Sequence, residues 1–538
     1  MAKSSPSFSE FYLLPTPRNK MTNTEYVPRI LVIGAGSRGS SYAKDISDIG
    51  LGTVAAVAEP NAYKRRLFGS KYIWKGETSS SPGQEYESWQ DFVAQETARR
   101  TSPSGDHGPR INAIFVCVLD EEHVKVLTAL APFGFHVMSE KPLATTLEDC
   151  LSIYASMRPP PGQAASTIFG ICHVLRYSPH NMLLRDLVLQ QNVVGDVLSI
   201  EHTEPVGWWH FTHSYVRVYR GNWRRESSTA PSLLTKSCHD IDWLLWMMCS
   251  PPRNSDRAHH LPAFLSSTGA LNHFRKARKP KAAGSATNCL SCPINDTCIY
   301  SAPRIYVEKQ LAKGIVKWPI KIIKPEIETC YQDEGPAAAH ELLMTSLAED
   351  YSDSQTLEQR LGRSWYGRCV FEADNDVCDD QFVTITWDDQ PDGIDSSRML
   401  NAKTATFHMI AGTEKICERR GRIYGDKGEI EYDGTTINVY DFATESTKTF
   451  RPPSEGSGHG GGDRGLVTQF LRAVIAADTQ AMTAEEAQVE YLGCTLEEVV
   501  RSHAMVFAAE EARRERRVVD WSPWWSAQVK AASVGPTD

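Results

Sequence analysis

Arg29-Ile30-Leu31-Val32-Ile33-Gly34-Ala35-Gly36-Ser37-Arg38-Gly39 decides how this chain is read. The run from Arg29 to Ile33 is short, apolar and rich in branched side chains, which suits a buried parallel strand. A glycine turn follows at once, and Ser40 to Ile49 then reads as a helix. In such a strand-turn-helix unit the first glycine, Gly34, makes the tight turn. The second, Gly36, lets backbone approach a pyrophosphate, and the third, Gly39, lets helix pack on strand. Phosphates are expected at the helix N-terminus, beside Ser37 and Arg38, where unpaired N–H groups and the helix dipole favour anions. A second apolar strand, Val54 to Ala58, ends in Glu59, 20 residues after Gly39. An acid there takes ribose hydroxyls and favours NAD. Lys64, Arg65 and Arg66 follow and suit either a solvated helix face or a 2′-phosphate, so NADP stays open.

The rest of the composition narrows the class. The 538 residues are 41% hydrophobic and 23% charged, ordinary for a globular protein with room for two or three domains. No run of about 18 apolar residues occurs, so no membrane span is expected. Residues 1–28 are polar, rich in Ser, Pro and Thr, and lack an apolar core, which reads as a disordered tail rather than a secretory signal. A net charge of -9 speaks against nucleic acid or an anionic membrane as partner. The basic run Arg275 to Lys281 reads as a solvated loop. Thirteen cysteines without a secretory signal point to reduced thiols and a cytoplasmic setting.

Ile111 to Leu119 reads as another buried strand, followed by a helix around Glu122 to Ala131 and a strand Phe135 to Met138. That strand delivers Ser139-Glu140-Lys141-Pro142. Side chains at the C-terminal ends of parallel strands face the ligand crevice. Lys141 is therefore placed to meet a nicotinamide or a substrate hydroxyl.

At these motifs the chain resembles the Gfo/Idh/MocA family of oxidoreductases. The matching residues are the Gly34/Gly36/Gly39 turn, the VCVLDEEHVKV segment with His123, and HVMSEKPLA with Glu140 and Lys141. Further matches are GICHVLRYSP, LLTKSCHDIDWLLW, YGRCVF, NDVCDDQ, GDKGEIE and GHGGGD, so the resemblance runs from about residue 29 to 520. It implies an α/β protein with an N-terminal Rossmann domain, taken as 29–165. It also implies a second α/β domain, 166–520, built on a large open, mostly antiparallel sheet. Residues 251–365 look inserted, and 521–538 read as a C-terminal tail. The resemblance implies NAD(P)-dependent hydride exchange with a carbinol or carbonyl carbon of a sugar-like or polyhydroxylated small molecule. It also implies a homo-oligomer formed through the sheet.

Hydride transfer from an alcohol needs a base for the hydroxyl proton and a positive group for the developing alkoxide. His239 in Lys236-Ser237-Cys238-His239-Asp240-Ile241-Asp242 matches the family's catalytic histidine, and an unperturbed imidazole exchanges protons near neutral pH. The family's acidic residue four positions earlier is Thr235 here, so its role is missing or falls to Asp240 or Asp242. Lys236 adds a second cation to the catalytic set with Lys141 and His239. His173, Arg176, Tyr177 and Asp240 are candidate substrate residues, although Arg176 suits a structural ion pair equally well. The resemblance further suggests that His459 of the glycine-rich turn reaches the substrate. Two other readings stay open: a redox-neutral NAD-dependent glycosidase, and a non-catalytic NAD-sensing regulator, which the presence of Lys141 and His239 disfavours.

Cys289-x2-Cys292-x5-Cys298 is spaced like part of a tetrahedral zinc site. A fourth ligand, Cys238 or His273, would complete it. Structural thiols or a disulfide remain alternatives, the latter disfavoured in a reducing compartment.

Overall fold

Strand β1, Arg29–Ile33, buries every residue after its arginine, and alternate side chains enter two different cores. Ile30 and Val32 pack on one face, while Leu31 and Ile33 pack on the other. A strand covered on both faces needs this continuous apolar run. The computed structural model describes residues 26–534 except 78, 103–107, 161, 217–222, 228, 253, 254, 256, 353, 362, 394 and 454–457. Most of the expected N-terminal tail, residues 1–25, lies outside the described residues.

Strands β2 (Thr53–Ala58), β3 (Glu85–Tyr86), β4 (Ala113–Val116), β5 (His136–Ser139) and β6 (Phe169–Ile171) join β1 in one sheet, ordered β3-β2-β1-β4-β5-β6. All five pairings are parallel. The strand order reverses between β1 and β4, and the crevice at their C-terminal ends is where this architecture takes a ligand. The first helix begins at Ser37, three residues before the expected start at Ser40. Gly36 closes the turn, so Ser37, Arg38 and Gly39 form the helix's first turn.

A second sheet contains nine strands among the described residues. They are β7 (Val197–Pro205), β8 (Phe264–Ala270), β9 (Asp380–Trp387), β10 (Lys403–Ile410), β11 (Arg420–Gly425), β12 (Gly428–Tyr432), β13 (Ile437–Asp441), β14 (Ser446–Phe450) and β15 (Val519–Asp520). Their order is β14-β13-β12-β11-β7-β10-β9-β8-β15. Only β7 and β10 run parallel, the other pairs being antiparallel. Inward residues alternate with less buried ones along β9 and β10, the pattern of a sheet covered on one face. The cover includes helix Cys238–Met248, all of whose side chains are buried, and helix Leu496–Glu515.

Two boundaries differ from expectation. The supposed insertion from 251 contains β8, a full member of the sheet, so the excursion starts after Ala270. The sequence FLSSTGA hides this, because its small polar residues blur the alternation of a strand near the sheet's edge. The excursion also has its own core, with Ile305, Tyr306, Leu343 and Leu347 packed together. The presumed tail from 521 is a helix, Trp521–Val534. Trp521 is 2% exposed, and Trp524 donates its indole N–H to Glu511 at 2.8 Å. Those paired indoles give the segment a burial energy that a disordered tail lacks.

Candidate functional site

The three glycines divide the expected labour. Gly34 has φ +98°, and a Cβ there would stand 2.4 Å from the Cys117 carbonyl oxygen. A Cβ on Gly39 would stand 2.0 Å from the Gly34 oxygen, so helix and strand meet through it. Nothing approaches within 4 Å of the place where Gly36 would carry a Cβ. The first helix has no side-chain cap and no acid in its first turn. Open space above uncapped N–H groups is a cradle that suits a pyrophosphate. Glu59 sits at the end of β2, where its two oxygens accept the Ala35 N–H at 2.8 Å and the Asn61 N–H at 3.0 Å. Arg65 donates to the Glu59 carbonyl at 2.6 Å and pairs with Glu85 at 3.4 Å.

Arg38, expected at the cofactor, is committed elsewhere. Its guanidinium bonds Glu140 at 2.6 Å, Asp463 at 2.8 and 3.0 Å, and the Tyr42 hydroxyl. This clamp ties the first Rossmann helix to helix Gly462–Asp478. Glu140 also accepts from Tyr42 at 2.8 Å and from the Lys141 N–H at 3.1 Å, which leaves it a structural part of the same clamp. His123 is fully buried, and its Nδ1 lies 2.7 Å from the Pro142 carbonyl oxygen, so it braces the Glu140-Lys141-Pro142 turn. His459 stays at the edge of this clamp, 3.1 Å from Asp463.

Lys141 crosses to the second sheet's domain. Its Nζ donates to the Thr235 carbonyl oxygen at 2.6 Å and lies 5.4 Å above the Trp223 ring. Burial lowers its pKa from the ordinary lysine range. Thr235 ends the short helix Ser232–Thr235, and His239 lies four residues on, in the first turn of helix Cys238–Met248.

His239 stands in a buried ring of charge. Its Nε2 is 2.8 Å from Arg419 Nη2 and 3.5 Å from Asp240. Arg419 Nε meets Glu204 at 2.5 Å and Asp240 at 2.9 Å. Lys236 Nζ lies 2.9 Å from Glu204 and 2.9 Å from Cys417 Sγ. His202 Nε2 reaches Asp240 at 3.1 Å. Burial would raise the Asp240 pKa, but the Arg419 guanidinium and the hydrogen bond from His202 hold it well below the carboxylate range. Burial would lower the Lys236 pKa, and Cys417 with Glu204 lifts it instead. His239 falls well below the usual imidazole value, chiefly through burial and then through Arg419, Lys141 and Lys236. An arginine cannot give up its proton, so Arg419 donates to Nε2. The neutral ring then carries its hydrogen on Nδ1. That atom is buried with no partner among the described residues.

The remaining substrate candidates divide. Arg176 forms a buried bidentate pair with Asp242, at 2.7 and 2.8 Å, and Tyr177 donates to the Leu492 carbonyl at 3.0 Å. Both are spent on packing. Asp242 is thereby engaged by Arg176, and of the two acids offered in place of the missing one it is Asp240 that stands beside His239. His173 is 1% exposed, has its ring tilted against that of His503, and is held neutral by burial, its pKa down at about 3. Glu204, Arg419 and Cys417 were not singled out by sequence. Arg420 pairs with Thr203 across β11 and β7, which sets Arg419 opposite Glu204. Only the register of strands distant in sequence joins them.

Among the described residues no group of three or more His, Cys, Asp or Glu stands in metal-binding geometry. The zinc expectation at Cys289, Cys292 and Cys298 is thus not met by a closed ligand set. Cys238 does not complete it either, because it is buried in the first turn of helix Cys238–Met248 and does not line the cavity that Cys289, Cys292 and Cys298 share. No helix among those residues is long and apolar enough to cross a membrane.

With this geometry in view, residues 28–159 match the model of an oxidoreductase family with an NAD-binding Rossmann fold, Gfo/Idh/MocA. The family match thus falls on the part of the chain that carries the parallel sheet. A 1,5-anhydro-D-fructose reductase of Ensifer adhaerens is 24% identical over 197 residues, 36% of this chain and 54% of the reductase, so the match spans about half of that relative. Levoglucosan dehydrogenase in complex with NADH and levoglucosan is structurally similar at TM-score 0.54 and 12% identity, over 92% of this chain and 100% of that one. An inositol dehydrogenase homologue from Azotobacter vinelandii, complexed with NAD+, is similar at TM-score 0.55 and 10% identity, over 92% and 98%. At such identities the two structures speak for the fold, including the second sheet beyond the Gfo/Idh/MocA segment.

Proposed function

We propose that this chain is an NAD(P)-dependent oxidoreductase that exchanges hydride with a carbinol or carbonyl carbon of a sugar-like or polyhydroxylated small molecule. The observation that carries this reading is the junction at Thr235, where Lys141 from the Rossmann crevice meets the element leading to His239. The matched relatives named for anhydrofructose and levoglucosan support the substrate class.

Gly34, Gly36 and Ser37 would hold a pyrophosphate, and Glu59 would meet the adenine ribose. Arg65, already bonded to Glu59 and Glu85, is withdrawn from any 2′-phosphate, which favours NAD. A bound nicotinamide dinucleotide supplies the hydride acceptor or donor. This chain's residues handle the proton and the oxygen. His239, with Arg419 on Nε2, offers its Nδ1–H to the substrate oxygen as negative charge develops there. It is therefore a donor rather than the base expected from sequence. The base in alcohol oxidation is Lys141, whose lowered pKa makes the neutral amine accessible. In the reverse direction its ammonium returns the proton.

The test screens polyols, aldoses and glycosides with NAD and NADP, following reduced nicotinamide and aglycone release together. Lys141→Ala is expected to lower kcat by about 10²–10⁴-fold while dinucleotide binding persists. The rise of the oxidation rate with pH, which follows deprotonation of Lys141, should vanish with it. Wild-type turnover in both Lys141→Ala and His239→Ala would sink the assignment. Aglycone release without net reduced nicotinamide would move the chain to the redox-neutral glycosidases.

A further inference from the structure

The excursion after Ala270 carries a feature unrelated to hydride chemistry. From Lys276 to Ser291 it has only three short 3-10 turns, yet Ala283 and Cys289 are buried. Regular hydrogen-bond ladders do not hold this stretch. Four cysteines line one small cavity there: Cys289, Cys292, Cys298 and Cys369. The fourth comes from the YGRCVF segment, far along the chain, and was not counted among the ligands expected from spacing.

Backbone geometry explains their convergence. The Cys289 N–H donates to the Gly367 carbonyl at 2.8 Å, and the Cys369 N–H donates to the Thr287 carbonyl at 2.7 Å. These bonds frame the antiparallel bridge between Asn288 and Arg368. Side chains alternate along a strand, so Cys289 and Cys369 share the face opposite Asn288 and Arg368. They are diagonal neighbours on that face, close enough for both sulfurs to reach one ion. A Cβ on Gly367 would stand 1.7 Å from the Leu347 oxygen, so the ribbon is pressed against helix Pro336–Ala348. Next, the Cys292 N–H donates to the Cys289 carbonyl at 3.2 Å, a tight turn that folds the second sulfur back beside the first. The Cys298 N–H bonds the Ile294 carbonyl at 2.9 Å and turns the chain again.

We infer that Cys289, Cys292, Cys298 and Cys369 form a structural zinc site, with Cys369 as the fourth ligand in place of Cys238 or His273. The side chains share one cavity without yet forming a closed set, and drawing the four thiolates onto an ion is the step beyond the geometry seen. The cavity measures about 20 Å³, which is room for one atom-sized guest. A single tetrahedral ion with sulfur at about 2.3 Å fits this scale. All four positions are taken by protein, which marks a closed structural site rather than a catalytic one. The ion would fasten the irregular stretch to the bridge at residues 288 and 368, a role suited to a segment with a small core.

The experiment measures metals in the purified full-length protein by elemental analysis, without added zinc. About one zinc per chain is expected, falling at least tenfold in Cys369→Ser and Cys292→Ser and unchanged in Cys330→Ser. Replacing zinc by cobalt in the intact wild-type chain gives a readout that does not depend on a variant's folding. The ligand-field bands of tetrahedral cobalt thiolate are expected. Zinc that persists in Cys369→Ser, iron with acid-labile sulfide, a metal-free folded chain, or a disulfide within the four found by mass spectrometry would each overturn the proposal.

Discussion

Two arginines in this molecule each sit between two carboxylates, and they do different work. Arg38 joins Glu140 to Asp463, and Arg419 joins Glu204 to Asp240. Around Arg38 the neighbouring groups are satisfied: Tyr42, the Lys141 N–H and His459 complete the network. Around Arg419 the ring is left open at His239, whose Nδ1 has no partner among the described residues. A closed charge network fastens two parts of the chain together. An open one holds a polar atom ready for a ligand, at the cost of leaving it unpaired in its absence.

Removing each arginine breaks the comparison most directly. Arg419→Met leaves Glu204 and Asp240, both 0% exposed, short of their shared cation. Loss of about 3–5 kcal/mol is expected, because an uncompensated buried charge is what makes such truncations costly. Arg38→Met should cost less, since the Arg38 side chain is 16% exposed and Glu140 keeps two other donors. Urea unfolding of both variants checks the order, and a larger loss at Arg38 would reverse it. The ring reading also requires Arg419→Lys to keep more stability than Arg419→Met while still losing activity, because lysine cannot supply the same two-nitrogen geometry.

The glycine turn sharpens the contrast between a cradle and a joint. Gly39→Ala drives a methyl into the Gly34 carbonyl and should prevent a folded Rossmann half. Gly36→Ala meets open space, so its thermal midpoint should stay near that of the parent. Its KM for the dinucleotide should rise by about tenfold, because the methyl occupies the approach of the pyrophosphate. Unchanged KM in a stable Gly36→Ala would remove the cradle from that position.

The geometry of the glycine turn was legible because its determinants are local. Gly34, Gly36, Gly39 and Glu59 act within one β-α-β unit, and the spacing carries the geometry. Arg38 and Glu140 sit in the same motifs, yet their partner Asp463 lies beyond the second sheet, so their structural use could not be read from spacing. The ring around His239 was less legible still. Arg419 faces Glu204 only because β11 pairs with β7 in one register, and strand pairing leaves little trace in a single sequence. Arg176 and Tyr177 followed a recognisable motif, but their burial against Asp242 and Leu492 turned them from substrate candidates into packing residues.

The smallest expected effect concerns proton uptake at His173, which separates an open polar site from a merely buried one. Burial depresses its pKa to about 3, with the nearby Asp242 at 3.7 Å opposing that shift and His503 adding to it. The unfolded chain takes up a proton near the ordinary histidine value of about 6.5, whereas the folded chain waits until about 3. The unfolded state therefore binds more protons between those limits, and stability falls as pH drops through that window. His173→Phe deletes this one proton from the balance. The slope of unfolding free energy against pH should flatten by about 1.4 kcal/mol per pH unit around pH 5, while stability near pH 8 changes little by titration. His503 is depressed to about 4 by the same burial, so it keeps part of the acid sensitivity in the variant. Denaturant midpoints measured across the window decide the matter. An unaltered slope would mean that His173 is protonated in the folded chain, sharing a proton with Asp242 as part of a polar site rather than standing neutral in the core.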